Sequence, residues 1–225
     1  MVTEGVSVFA IRTRRGREVV DEMLGDDSTA IIGSDRFSVY GHLPPRRRLV
    51  CWAHLQRTFE DFVARKGDAA WVGQELLDCS EKLFTWWQRI RDGTLQRSSF
   101  RVYVSDLRHR VRFRLCHGQQ FADAHTAATC GNLLDLEPAL WTFAHRDGVE
   151  PTNNAAERAL RHGVLWRHTS FGSHSAEGSR FAERLLTVRD TLRQQQRNVL
   201  DFLTLACYAP LRNQPAPSLL PIQIS

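Results

Sequence analysis

Thr29-Ala30-Ile31-Ile32-Gly33-Ser34-Asp35 is the stretch whose reading decides the fold. An apolar, β-branched run follows the turn residues Gly25-Asp26-Asp27-Ser28. That pattern predicts a buried strand over 29–33, with Asp35 just past its end. Upstream, Val6 to Ile11 reads as a short strand. Gly16 to Leu24 reads as a helix with Val19, Val20, Met23 and Leu24 on one side. Downstream, Pro44-Pro45 punctuates a loop and Leu49 to Trp52 reads as a further strand. Strand, helix, strand, loop, strand predicts an α/β sheet in the N-terminal part of the chain.

The middle of the chain follows a different period. Leu55, Phe59, Phe62 and Val63 predict a helix over 53–65. Val72, Leu76, Cys79, Leu83, Trp86 and Ile90 form a long stripe over 68–91. Gly93 and Gly118 bracket a third helical stretch, and residues 119–145 hold one or two more. The aromatics of this block read as core. The block is an all-helical insertion over about 55–148, flanked by segments 1–54 and 149–212 and a Pro-rich tail, 213–225. In the last third, Arg167 to Ser173 reads as a strand or extended loop. Ser175 to Gln196 reads as a helix, and Asn198 as the cap of a final one.

A chain of 225 residues with 42% hydrophobic content is one large domain or two small ones with a real core. No run reaches the roughly 20 apolar residues of a membrane span. The first residues lack the pattern of a secretory signal. Five scattered cysteines fit reduced thiols and a cytoplasmic location. The net charge is +5 and nearly all of the positive charge is arginine, Lys66 and Lys82 being the lysines. Arginine forks match phosphate oxygens in pairs. Arg158, Arg161, Arg167, Arg180, Arg184, Arg189, Arg193 and Arg197 recur late in the chain. A nucleic-acid partner and a solvated basic face both account for them.

Residues 151–161, PTNNAAERALR, carry the chemistry. Thr152 or Asn153 can cap a helix start. Asn153, Asn154, Glu157, Arg158 and Arg161 then fall three or four apart on one face. A carboxylate among amides and guanidiniums suits a divalent cation and a phosphate; a capped, exposed helix with a Glu–Arg pair satisfies the same spacing. Cys51-x-x-His54 has the spacing of half a zinc site, for which Cys116, His117 and Cys130 are the available complements. The other reading is a structural role where the strand meets the insertion. No nucleophile elbow appears, so a hydrolase triad is not supported.

Residues 151–161 resemble the segment carrying the last acidic residue of DDE transposases of the insertion-sequence sixty-six family. Gly33-Ser34-Asp35-Arg36-Phe37-Ser38-Val39-Tyr40 resembles the family's second-aspartate segment. Residues 51–59, 141–143, 166–173, 178–181 and 215–221 are similar to further family segments in the same order. The resemblance implies a ribonuclease H-like fold in which Asp35 and Glu157 are the second and third members of the triad. Such a triad holds two Mg²⁺ or Mn²⁺ ions about 3.5–4 Å apart for DNA strand cleavage and transfer. It implies transposon-end DNA as partner, with Asn153, Asn154, Arg158, Arg161 and Arg167 as candidate phosphate contacts. A nucleoid-associated bacterial protein and a homo-oligomer are compatible with it. Val6 to Ile11 resembles the family's second strand, so the expectation is an incomplete core, with its first strand and first aspartate missing and no activity alone. The alternatives are a non-catalytic DNA-binding or regulatory remnant and a ribonuclease H-like nuclease.

Overall fold

The computed structural model describes residues 1–25 and 28–221. Asp26 and Asp27 of the turn read at 25–28, and the last four residues of the tail, lie outside the described residues. In chain order the elements are α1 (Arg17–Leu24), β1 (Ile32–Ser34), β2 (Arg48–Val50), α2 (Trp52–Val63), α3 (Asp68–Arg91), α4 (Arg97–Phe121), α5 (Ala124–Asp135), α6 (Glu137–Leu140), α7 (Thr142–His145), α8 (Asn154–Ser170), α9 (Ala176–Gln194) and α10 (Val199–Leu211). Helix accounts for 66% of the chain, so this is a mixed α/β protein in which a small parallel sheet sits among helices. The chain divides into two compact units, residues 24–153 and residues 1–23 with 154–225.

In the first unit, β1 and β2 pair in parallel, with Ile32 opposite Arg48, Gly33 opposite Leu49 and Ser34 opposite Val50. The ladder continues one step, because the Cys51 N–H donates to the Ser34 carbonyl at 2.9 Å. Both strands sit slightly off their predicted spans: β1 begins at Ile32, and Trp52 already belongs to α2. All three residues of β2 are buried, as a parallel strand covered on its faces requires. The Thr142 hydroxyl at the start of α7 donates to the Arg48 carbonyl at 2.6 Å.

Helices α2 to α5 pack consecutively, each against the next. Leu49 and Val50 of the strand join Leu55, Phe59 and Phe62, Val72 and Leu76, and Phe100 and Val104 in one hydrophobic core. The predicted stripe over 68–91 is α3 end to end. Its Gly73 marks the tightest approach of α2 to α3: a Cβ there would lie 2.6 Å from the Val63 nitrogen and 2.8 Å from the Phe59 carbonyl oxygen. Asp123 caps α5, accepting from the N–H groups of His125 and Thr126 and from the Thr126 hydroxyl.

In the second unit, Val6 to Ile11 differs from expectation. It is extended, but its ladder is a single antiparallel bridge, Val2 to Ser7. Side chains of α9 take the place of a partner strand. The N–H groups of Ser7, Phe9 and Ile11 donate to Thr191 Oγ1 (3.1 Å), Thr187 Oγ1 (3.1 Å) and Glu183 Oε1 (2.5 Å), and the Thr191 hydroxyl returns a bond to the Ser7 carbonyl at 3.0 Å. The match is geometric. Two strand residues advance about 6.6 Å and four helix residues about 6 Å, so alternate amides meet every fourth helical side chain. A second correction concerns 167–173. Arg167 to Ser170 form the last turn of α8, which ends where Phe171 and Gly172 take positive φ angles of 56° and 80°. Ser175 and Asn198 cap α9 and α10.

Replacing Gly73 by Ala tests the α2–α3 approach. In an open helix the change stabilises by about 1 kcal/mol. Overpacking against immobile backbone costs about 1–3 kcal/mol. Thermal and urea unfolding should show net destabilisation; an unchanged or higher melting temperature contradicts the packing.

Candidate functional site

Asp35 follows the last residue of β1, where the chain leaves the sheet. Its carboxylate accepts the Phe37 N–H at 3.1 Å, and its carbonyl accepts the Ser34 hydroxyl at 2.9 Å. These two bonds fix the turn in which the partly exposed carboxylate sits. On the neighbouring strand, Arg48 is buried to 3% exposure. Burial pulls its guanidinium below the usual arginine range, and the nearby Asp35 carboxylate opposes that shift. A buried charge is tolerated where an opposite charge offsets its desolvation. Arg48 is a residue that sequence reading missed: an Arg between Arg47 and Leu49 looks like one more member of a basic run.

Cys51 and Trp52 tie this corner to the segment that leads into α8. The Trp52 N–H donates to the Pro151 carbonyl at 2.9 Å, and the Asn153 N–H points to Cys51 Sγ at 3.4 Å. The Trp52 indole N–H donates to the Leu140 carbonyl at 2.7 Å. Cys51 is fully buried, and His54 lies in the first turn of the helix it opens. Asn153 Oδ1 is buried and has no partner among the described residues. No group of three His, Cys, Asp or Glu side chains among the described residues is arranged around a metal position.

Glu157 belongs to the second unit, in the first turn of α8. On that helix Asn154, Glu157, Arg158 and Arg161 share one stripe, as the three-and-four spacing requires. Arg167 is turned away from it. It lines a cavity of about 390 Å³ with Phe9, Ala156, Gly163 and Trp166, on another face of α8. No residue of α8 is buried, so its apolar side contributes little of the packing that normally holds a helix. Of the later arginines, Arg180 pairs with Glu177 at 2.9 Å and Arg197 donates to the Ser218 carbonyl at 3.0 Å.

The described corner thus sets a carboxylate at a strand end, beside a buried guanidinium, in the unit that ends at Asn153. A second carboxylate follows four residues later on a helix lined with amides and arginines. The profile of the IS66 transposase family matches residues 2–181, and the chain belongs to that family. No curated protein and no solved structure matches it. No helix among the described residues is long and apolar enough to cross a membrane.

Thiol labelling checks the corner. Cys207 is exposed, Cys116 intermediate, and Cys51, Cys79 and Cys130 are buried. Burial pushes the Cys130 thiol up to about 11, so at pH 8 about one part in a thousand is thiolate. In the native chain Cys207 should react first and Cys116 more slowly, and the other three should react only after denaturation. Fast native labelling of Cys51 contradicts its place under Asn153.

Proposed function

We propose that this chain forms the part of a DDE transposase that contributes Asp35 and Glu157 to the catalytic site for DNA strand cleavage and strand transfer at transposon ends. The reading includes a ribonuclease H-like core, over 1–54 and 149–212, interrupted by the helical insertion over 55–148. The observation that carries it is the double attachment at Cys51. The Cys51 N–H holds the carbonyl of Ser34, the residue before Asp35, while its sulfur faces the N–H of Asn153, four residues before Glu157. Glu157 follows four residues after that anchor in the chain, in the first turn of α8.

The side chains suit a hard divalent cation. Asp35 and Glu157 offer carboxylate oxygens, and the buried Asn153 Oδ1 is an oxygen acceptor still lacking a donor or an ion. Mg²⁺ or Mn²⁺ bound there supplies positive charge at the attacking and leaving oxygens of an in-line displacement. The protein's own part is positional. Asp35 is fixed by its turn, and Arg48 places a buried positive charge near it. Arg158 and Arg161, on the Glu157 face, provide bidentate donors for DNA phosphates. Two carboxylates make an incomplete two-metal centre, so the reading assigns no strand cleavage to Asp35 and Glu157 by themselves.

A double-mutant cycle tests the pairing. Mn²⁺ binding, followed by the loss of the free-ion electron paramagnetic resonance signal, is compared in Asp35→Asn, Glu157→Gln and the double variant. Each single change should weaken binding by more than the roughly tenfold that loss of an outer-shell partner costs. The double change should add little, because both remove the same site. Additive effects, or none, overturn the pairing.

A further inference from the structure

A cavity of about 310 Å³ opens in the first unit between the turn before β2, the middle of α4 and the α6–α7 corner. Its walls include Arg46, Arg108, Arg146 and His145, and its apolar side is Trp141. None of these residues belongs to the carboxylate site. The charges around it are unequal. Glu137 holds Arg108 through two bonds, Nε to Oε1 at 2.5 Å and Nη2 to Oε2 at 2.7 Å, leaving Nη1 for another partner. Asp147 is engaged by Arg97 at 3.2 Å and lies 3.8 Å from Arg101. Arg46 and Arg146 thus leave the cavity positive.

The second observation is independent of charge. Trp141 is 1% exposed, and its indole N–H is buried without a partner among the described residues. The contrast with Trp52 is direct. The two rings pack with centroids 5.0 Å apart, yet the Trp52 N–H is satisfied by a carbonyl and the Trp141 N–H is not. An orphaned buried donor is costly to leave unpaired, so it calls for an acceptor. The Thr142 hydroxyl is already committed to the Arg48 carbonyl. The cavity therefore offers guanidinium donors beside a tryptophan whose buried N–H lacks an acceptor, and it suits a small anion rich in acceptor oxygens.

We propose that this cavity is a phosphate-binding site that seats one phosphodiester of DNA on the helical part of the chain. Arg46 and Arg146 clamp the non-bridging oxygens, and the Trp141 N–H donates to the group directly or through one water. The site would hold DNA apart from the carboxylates. The choice of DNA over free phosphate rests on the transposase reading above.

The test uses the whole chain and follows the indole ¹H–¹⁵N peak of Trp141, assigned by through-space connectivity to its own backbone. Inorganic phosphate and a short DNA duplex are titrated separately. Both should shift this peak, and the shifts should persist in Asp35→Asn and Glu157→Gln. Arg46→Ala with Arg146→Ala, both exposed positions, should abolish the phosphate response. The pair should also weaken duplex binding several-fold and make its salt dependence shallower by about one to two units of slope. A Trp141 peak unmoved by either ligand overturns the site. A peak moved by phosphate but not by duplex overturns the DNA source and leaves the carboxylate reading standing. A response unchanged by the arginine pair overturns the clamp.

Discussion

One buried corner, Cys51-Trp52, holds together three stretches that are far apart in sequence. Its backbone N–H groups reach the Ser34 carbonyl at the end of β1 and the Pro151 carbonyl before α8, and its side chains meet Asn153 and Leu140. Each buried amide would otherwise be left unsatisfied in the core. Among the described residues the sheet has two strands, too few to be stable alone, so this corner and the α6–α7 cover give it a place. The turn that carries Asp35 follows directly from it.

Arginine serves three distinct roles in this chain. Arg48 is a buried charge in a strand, set against the Asp35 carboxylate. Arg97 and Arg101 strap α4 to the α7 end through the carbonyls of Phe143, Arg146 and Ala144. Arg46, Arg146, Arg158 and Arg161 are exposed and available to phosphate. All of them count equally in the net charge. The first two are structural and would be misread as DNA-binding from composition alone.

The long helices were legible because their apolar stripes are continuous: α3 was bounded by Asp68 and Arg91 in sequence as in space. The cap at Asn198 was legible because capping is local chemistry. Val6 to Ile11 was misread because its amides are satisfied by Glu183, Thr187 and Thr191, more than 170 positions away. A β-branched run shows that a segment is extended, not what it pairs with. Arg167 to Ser173 was misread because its aromatic and β-branched residues mask the true signal, the Phe171-Gly172 stop. At the site, Asp35 and Glu157 were readable as motifs. The burial of Arg48, the orphaned oxygen of Asn153 and the orphaned indole of Trp141 depend on packing that no local pattern encodes.

The central claim is that Asp35 and Glu157 serve one metal centre. Anomalous diffraction from crystals soaked in Mn²⁺ tests it most directly. The account predicts an anomalous peak within direct bonding distance of carboxylate oxygens from both residues, at about 2.0–2.1 Å for a Mg²⁺-like ion. Carboxylates found on opposite faces of the protein, or an ion held by one of them without the other, would contradict it.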